Sequence, residues 1–429
     1  MSDRPLRIAL LAYRGNMRSG GQGIYLWFLA RELARLGHSV HVLAGPPHPD
    51  PMPFAASFTR IPNEGFWAKR FDPDPAAILP RPNPLRIFEP LNFWEYGATW
   101  FGFLPEPFAF SVRSVRALLS RIRAGERFDL VHDVQSLGWA TLLLEAIGLP
   151  VVTTIHHPLS VDRRASFARD TSFREALGTM ELYPVGMQAF VARRLDRVLT
   201  SSARSGAEIV RDFRVRPERL RMVWNGLDTD LFRPLPGIPR ATDELLCVAR
   251  ASDPNKGVPV LLGALARLPE RIRLTLVDES SAENPARECA RKLGVEGRVR
   301  ITGRVDTDEL LRLYARASLV VVPSLYEGFG LPAAEAMACG APVVATAAGA
   351  LPEVMGIGGG GVLVPAADPE ALAKGILDLL ASPETRAALG TRARTRVVEA
   401  FSWPRVAQAT LAVYRELLEE RARRSRPSA

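Results

Sequence analysis

Short unbroken apolar runs alternate along this chain with longer segments whose apolar positions fall three or four apart. Short runs rich in apolar and β-branched residues suit strands of a parallel sheet, so residues 7–12, 39–43, 130–134 and 151–155 read as strands. Between the first two, residues 24–36 carry the helical period and Gly37 ends it. Helices are expected at 108–124, 137–147 and 203–213, with strands at 193–201 and 220–224. The alternation restarts with strands at 244–249, 274–277 and 299–302 and helices at 258–268 and 285–293. It continues through a strand at 318–322, a helix that Gly340 ends, and a strand at 343–346. After a turn at 349–353 and a glycine loop at 358–361, a strand begins at Val362, and helices follow at 369–381, at 383–399 and beyond Phe401 to about Glu420. Such alternation makes an α/β protein with parallel sheets, and 429 residues are too many for one ordinary core.

The expected division is a first domain over 1–226, a linker over 227–242, a second domain over 243–400, a helix over 401–424 and a tail over 425–429. The linker reading rests on Asn225-Gly-Leu-Asp and the prolines up to Pro239. One stretch breaks the pattern. From 46 to 107 prolines are frequent and aromatics cluster at Phe66-Trp67, Phe93-Trp94 and Trp100-Phe-Gly-Phe103. Either this insert contributes to ligand recognition, or it is a hydrophobic cover on the sheet edge.

Composition changes this picture little. Cys247, Cys289 and Cys339 have no metal-ligand spacing and read as reduced thiols, and the first apolar run is too short for a signal sequence or a membrane span. A cytoplasmic protein is expected. The net charge of +9 raises nucleic acid or an anionic membrane as partners. No basic run is interleaved with aromatics, which argues against nucleic acid. Only four lysines stand among the 55 cations, as in arginine-rich GC-biased proteins, and Arg113, Arg116, Arg121 and Arg123 form the candidate face for a peripheral membrane contact.

Candidate chemistry concentrates where strands hand over to helices. Glu327 and Glu335 flank a helix start in Ser324-Leu-Tyr-Glu-Gly-Phe-Gly-Leu-Pro, so the unpaired amides of Phe329, Gly330 and Leu331 face any anion placed there. One carboxylate can reach a group beside a phosphate while the other accepts from hydroxyls further along, as a sugar nucleotide requires. Arg250 and Lys256, six apart at another strand-to-helix turn, can clamp a diphosphate as a fork and a point charge. Gly20-Gly21 allows close backbone approach at the first helix. It does not make a nicotinamide site: Leu26 stands where that fingerprint needs Gly or Ala, and no acid ends the second strand. His156 sits at the carboxyl end of the strand 151–155, where open parallel sheets bind ligands.

Glu327-Gly-Phe-Gly-Leu-Pro followed by Glu335-Ala-Met-Ala-Cys-Gly-Ala-Pro closely resembles the Glu-x7-Glu signature of retaining glycosyltransferases of family 4. Arg250 with Lys256-Gly257 and Asn225-Gly-Leu-Asp fit the same resemblance. It implies the GT-B architecture, two Rossmann-like domains facing across a cleft with the last helix crossing back to the first. It also implies metal-independent transfer of a hexosyl unit from a nucleotide diphosphate sugar, with no bound cofactor, to a glycan, lipid or small-molecule acceptor in cell-envelope synthesis. Carried over by position, Arg250 and Lys256 neutralise the diphosphate, Glu327 holds sugar hydroxyls, Glu335 accepts from the ribose, and His156 bonds the sugar. The base rests on backbone near Val305, and the acceptor side falls to Tyr13, Asn16, Arg18, Asp133 and Gln135. Two departures stand out: Val277-Asp-Glu-Ser where relatives have a glycine-rich turn, and Gly349-Ala-Leu-Pro-Glu for Gly-Gly-x-Pro-Glu. The competing readings are a pyridoxal-dependent phosphorylase, which needs a Schiff-base lysine from Lys256, Lys292 or Lys374, and a non-catalytic sugar-nucleotide binder.

Overall fold

A computed structural model describes residues 4–17, 21–70, 72–167, 184–356 and 359–424. Arg18, Gly20, part of the 358–361 loop and the tail 425–429 lie outside them. The chain divides into two compact units. Unit 1 comprises residues 1–201, 205–223 and 407–429, and unit 2 comprises 202–204 and 224–406.

Unit 1 is built on a parallel sheet in the order β3-β2-β1-β4-β5-β6-β7. Its strands are β1 (Arg7–Ala12), β2 (Ser39–Ala44), β3 (Ser57–Arg60), β4 (Leu130–Val134), β5 (Val151–Ile155), β6 (Arg197–Thr200) and β7 (Leu220–Met222). β4 and β5 are buried throughout, including the polar residues His132, Asp133, Thr153 and Thr154, as central parallel strands covered on both faces are. Strand order reverses between β1 and β4, and Ala12 is in register with both Ala44 and Val134. Tyr13, Gln135 and His156 therefore leave the sheet at one edge, beside the switch point where such sheets bind ligands.

The insert is more regular than its sequence suggests. It contributes β3, four residues at the sheet edge, and the helix Pro90–Trp100. This helix inverts the usual pattern, since Asn92, Glu95 and Thr99 are its buried residues while Phe93, Trp94 and Trp100 are exposed. Its partner is the helix Glu106–Arg123, whose Arg113 reaches into the seam to Glu95 and donates to Asn92 Oδ1 at 2.6 Å. A polar seam gives no hydrophobic periodicity, so helix and seam were invisible to pattern. Of the four arginines on the expected membrane face, Arg113 is spent on Glu95, Arg121 pairs with Glu126 at 2.7 Å and donates to His41, and Arg116 and Arg123 are exposed. Among the described residues no helix is long and apolar enough to cross a membrane.

A second difference falls after β4. In place of one helix over 137–147 there are a turn at Trp139–Thr141 and a short helix Leu142–Ala146, because Gln135 and Leu137 take left-handed φ of 55° and 51°.

Unit 2 carries the order β10-β9-β8-β11-β12-β13. Its strands are β8 (Glu244–Val248), β9 (Arg273–Val277), β10 (Val299–Ile301), β11 (Leu319–Val322), β12 (Val343–Thr346) and β13 (Val362–Val364). One face packs on the helix Val258–Leu265 through Val258, Leu261, Leu262 and Leu265. The other packs on Tyr314, Phe329, Phe401 and the buried helix Leu331–Ala338, whose alanines allow close approach. The 349–353 turn is the start of a short helix, Leu351–Met355. The residues read as a linker pack on unit 2: Arg394 donates to the carbonyls of Thr229 and Phe232, and Arg240 to those of Tyr314, Ala317 and Gly340. The last helix, Trp403–Arg424, begins in unit 2 and belongs to unit 1 from Ala407 on.

Candidate active site

The carboxyl edge of the unit 2 sheet gathers the turns after β8, β9, β10, β11 and β12, and most of the candidate residues lie on them. Lys256 Nζ donates to Glu327 Oε1 at 2.7 Å, and Ser324 Oγ donates to the same oxygen at 3.0 Å. Glu327 is 8% exposed, so this carboxylate is held by two donors in a largely desolvated place. Glycine makes the approach feasible. Gly257 has φ +63°, and a Cβ there would sit 2.0 Å from Pro323 O. Asn255 O accepts from Leu325 N at 2.7 Å, so the Lys256 turn and the Glu327 turn are zipped backbone to backbone. From the other side Gly349, with φ +55°, lies where a Cβ would be 2.1 Å from Glu327 O, and Ala350 N donates to that carbonyl at 2.8 Å.

Gly330 caps the helix Leu331–Ala338 with φ 94°, so the amides before the first turn point out of its start. The Phe329 ring is a core group stacked near Trp224 and Phe401, which leaves only its backbone to meet a ligand. Arg250 is exposed, and Val305 is half-buried against the core. Asp278 takes the place of the glycine-rich turn: it accepts from Ala251 N at 2.8 Å and Asn284 Nδ2 at 2.8 Å, and so fixes the backbone next to Arg250.

Glu335 occupies a different environment. Burial pushes its carboxyl up to about 7, and Tyr314 Oη, donating to Oε2 at 2.8 Å, holds it from rising further. Tyr314 is itself fully buried, and its phenol is raised well above the ordinary value by burial and by Glu335.

In unit 1 the structure pins His156 rather than merely placing it at a strand end. Gln135 Oε1 accepts from His156 N at 3.0 Å while Gln135 Nε2 donates to His157 O at 2.9 Å, and Ser201 Oγ donates to His156 O at 3.2 Å. The Tyr25 ring meets the His156 ring edge-on at 4.9 Å, and Tyr25 Oη lies 3.1 Å from Thr154 Oγ1. His132 joins this network through Nε2 to Thr154 Oγ1 at 2.7 Å and Nδ1 to Tyr414 Oη; burial, aided by His156, depresses it to about 3, so it is neutral at every working pH.

The acceptor-side candidates divide. Asp133 is fully buried, and it accepts from Leu137 N at 2.8 Å, from Ser136 and from Thr153. Its oxygens shape the turn that presents Gln135, so Asp133 and Gln135 act on His156 and on the turn, a correction to their expected place against an acceptor. Tyr13 is raised by burial, and Arg14 beside it pairs with Glu106 at 2.6 Å. A Cβ at Gly23 would fall 2.1 Å from Asn16 O, whereas one at Gly21 meets nothing within 4 Å. The close-approach glycine within the protein is thus Gly23, and Gly21 leaves open space. Tyr314, Tyr25 and His132 had not been singled out, and Asp278 only through the Val277-Asp-Glu-Ser departure; Gly257 and Ser324 stood in the quoted motifs without a role of their own.

Two parallel-sheet units of this topology, with a charged helix-start site in the second, define a sugar-transferring enzyme of the GT-B type. The chain matches the family models described as glycosyl transferases group 1, over residues 230–396, and Glycosyltransferase Family 4, over residues 19–231. It is 41% identical over 416 residues to the MMP alpha-(1->4)-mannosyltransferase of Mycolicibacterium hassiacum, covering 96% of this chain and 98% of the relative. Among solved structures it is similar in fold to a sucrose-phosphate synthase from Thermosynechococcus elongatus, with TM-score 0.70, 24% identity and 97% and 100% of the two chains covered. It is also similar to Anabaena HepE in complex with UDP and glucose, with TM-score 0.67, 20% identity and 95% and 99% covered. The chain belongs to the group 1 glycosyltransferases of family 4 and is a glycosyltransferase.

Proposed function

We propose that the enzyme transfers a hexosyl unit, mannosyl in the first instance, from a nucleotide diphosphate sugar to a carbohydrate hydroxyl, with retention at the anomeric carbon and without a metal. The observation that carries this is the Lys256–Glu327 pair at the helix start, next to the exposed Arg250. As the bond from C1 to the diphosphate oxygen breaks, charge grows on the leaving group, and Lys256, Arg250 and the amides of Phe329 to Leu331 are the donors that meet it. Lys256 then exchanges part of its bond to Glu327 for the phosphate, which frees Glu327 to accept from ring hydroxyls. Glu335 accepts from the ribose through the oxygen that Tyr314 does not occupy. His156, fixed by Gln135 and Tyr25, bonds the transferred sugar. The acceptor oxygen attacks C1 from the face the phosphate leaves, and its proton passes to the departing phosphate oxygen, so no covalent enzyme intermediate forms. The mannosyltransferase relative supports the choice of sugar, and UDP in the HepE complex supports a nucleoside diphosphate as the leaving group.

The test is incubation with GDP-mannose, UDP-glucose and ADP-glucose, with and without EDTA, followed by proton NMR of the product anomer. An axial product from an axial donor, at a rate that EDTA leaves unchanged and Glu327→Ala abolishes, is expected. An inverted product or a metal-requiring rate refutes the respective part.

A further inference from the structure

The unit 2 sheet has a second charged end. At its amino edge, away from the turns just described, a surface cavity of about 450 Å³ is lined by Arg271, Arg273, Arg298, Arg300 and Arg316. Two carboxylates, Asp243 and Glu244, share the lining, which leaves an excess of three positive charges. Those carboxylates are already taken: Asp243 pairs with Arg271 at 3.2 Å and Glu244 with Arg316 at 2.9 Å.

The other three arginines carry the argument. Arg298 donates to the carbonyls of Ile272 and Pro269, and Arg273 to that of Gly297, bonds that orient a guanidinium without neutralising it. Arg300 is exposed, and no carboxylate pairs with it among the described residues. Val299 is in register with Leu274 and Arg300 with Thr275, so Arg298 and Arg300 project beside Arg273 and Thr275 on one face. Like charges set side by side on neighbouring strands destabilise a sheet. The Arg298 guanidinium is depressed chiefly by burial; Glu270 raises it, and Arg273 lowers it by less. A surface selected only for solubility scatters its cations. Here backbone carbonyls hold Arg273 and Arg298, and Arg300 lines the same cavity.

We propose that this cavity binds a small polyvalent phosphate, a diphosphate or triphosphate group either free or on a nucleoside, at a site separate from the donor-binding edge. Two guanidinium forks oriented by carbonyls, Arg273 and Arg298, with the exposed Arg300 beside them, match such a group in charge and in paired donors, and the volume accommodates a molecule of nucleotide size. The inference does not depend on the proposed reaction.

The experiment is isothermal titration of pyrophosphate, and separately of GDP, into the full chain carrying Arg250→Ala and Lys256→Ala, at fixed ionic strength made up with chloride. Saturable binding of one pyrophosphate per chain is expected, weakened about tenfold or more when Arg273→Ala and Arg300→Ala are added, as removal of two charge-assisted contacts requires. Equal binding of GDP and pyrophosphate identifies the phosphates as the recognised group, and tighter GDP assigns part of the site to the nucleoside. Arg273→Ala/Arg300→Ala in the otherwise unaltered chain keeps the nucleotide-sugar hydrolysis rate, showing that the variant is folded. Absence of saturable binding, binding that survives Arg273→Ala/Arg300→Ala, or an equal response to chloride alone overturns the proposal.

Discussion

Glu335→Gln isolates the energetic consequence of setting a half-buried carboxylate against the second core. The folded carboxyl titrates at about 7 against an ordinary 4.5, chiefly because burial penalises its charged form. In the interval between those values the native state holds a proton that the unfolded chain has released. Stability therefore falls as pH rises through this window, and the full cost of ionising the buried group is about 3 kcal/mol. Glutamine keeps the shape and can still accept from Tyr314, yet it has no charge to bury. At about pH 5 the two proteins should unfold at similar urea concentrations; by about pH 8 the variant should be more stable by roughly 2–3 kcal/mol. Urea unfolding of both proteins at matched ionic strength from about pH 5 to pH 8.5 measures the difference. Parallel pH profiles, or a variant equally destabilised at every pH, would refute the assignment of a raised, burial-dominated carboxyl. A ligand hydroxyl that donates to ionised Glu335 favours its charged form, so nucleotide affinity should climb through neutrality in the native enzyme and stay flat in Glu335→Gln.

Lys256→Ala removes the cation from beside Glu327 and from the leaving group; turnover should drop on the order of 10²–10³-fold, read by steady-state nucleotide release. Gly257→Ala forces a Cβ to 2.0 Å from Pro323 O at a left-handed φ, so it should lower stability by about 1–3 kcal/mol and reduce turnover, whereas Gly21→Ala, where nothing is within 4 Å, should leave stability within about 0.5 kcal/mol. Gln135→Leu cuts both bonds to the His156-His157 backbone; turnover should fall about tenfold or more with donor KM within about twofold, and an unchanged turnover would show that His156 needs no such support.

Buried parallel strands were legible because they are short and rich in apolar and β-branched residues: β1, β4, β5, β8, β11 and β12 fall within a residue or two of where the runs predict. β3 was not, since Ser-Phe-Thr-Arg at an edge has neither a continuous run nor a full alternation. Pro90–Trp100 was missed for the opposite reason, its aromatics facing out and its polar residues in, around Arg113. Charged site residues showed in the sequence as types at strand ends. Their support did not: Asp278, Tyr314 and Gln135 act through long-range bonds and, for Gln135, a left-handed φ that no local pattern announces. Asp133 was expected on the acceptor side of the first domain; its oxygens close the following turn, a role that composition at a strand end does not announce.

The discontinuity of unit 1 has a consequence for biosynthesis. His132 and Tyr414, hydrogen-bonded in its interior, are 282 residues apart, and all of unit 2 from Trp224 to Val406 is translated between them. The continuous stretch of unit 2 carries its whole sheet and core, whereas a first unit made without the final helix leaves the His132 imidazole and the β6 guanidinium of Arg197 lacking their partners Tyr414, Glu416 and Glu420. A chain truncated before Ala407 should hold a protease-resistant unit 2 beside a first unit that is still cleaved, and the full chain should resist at both.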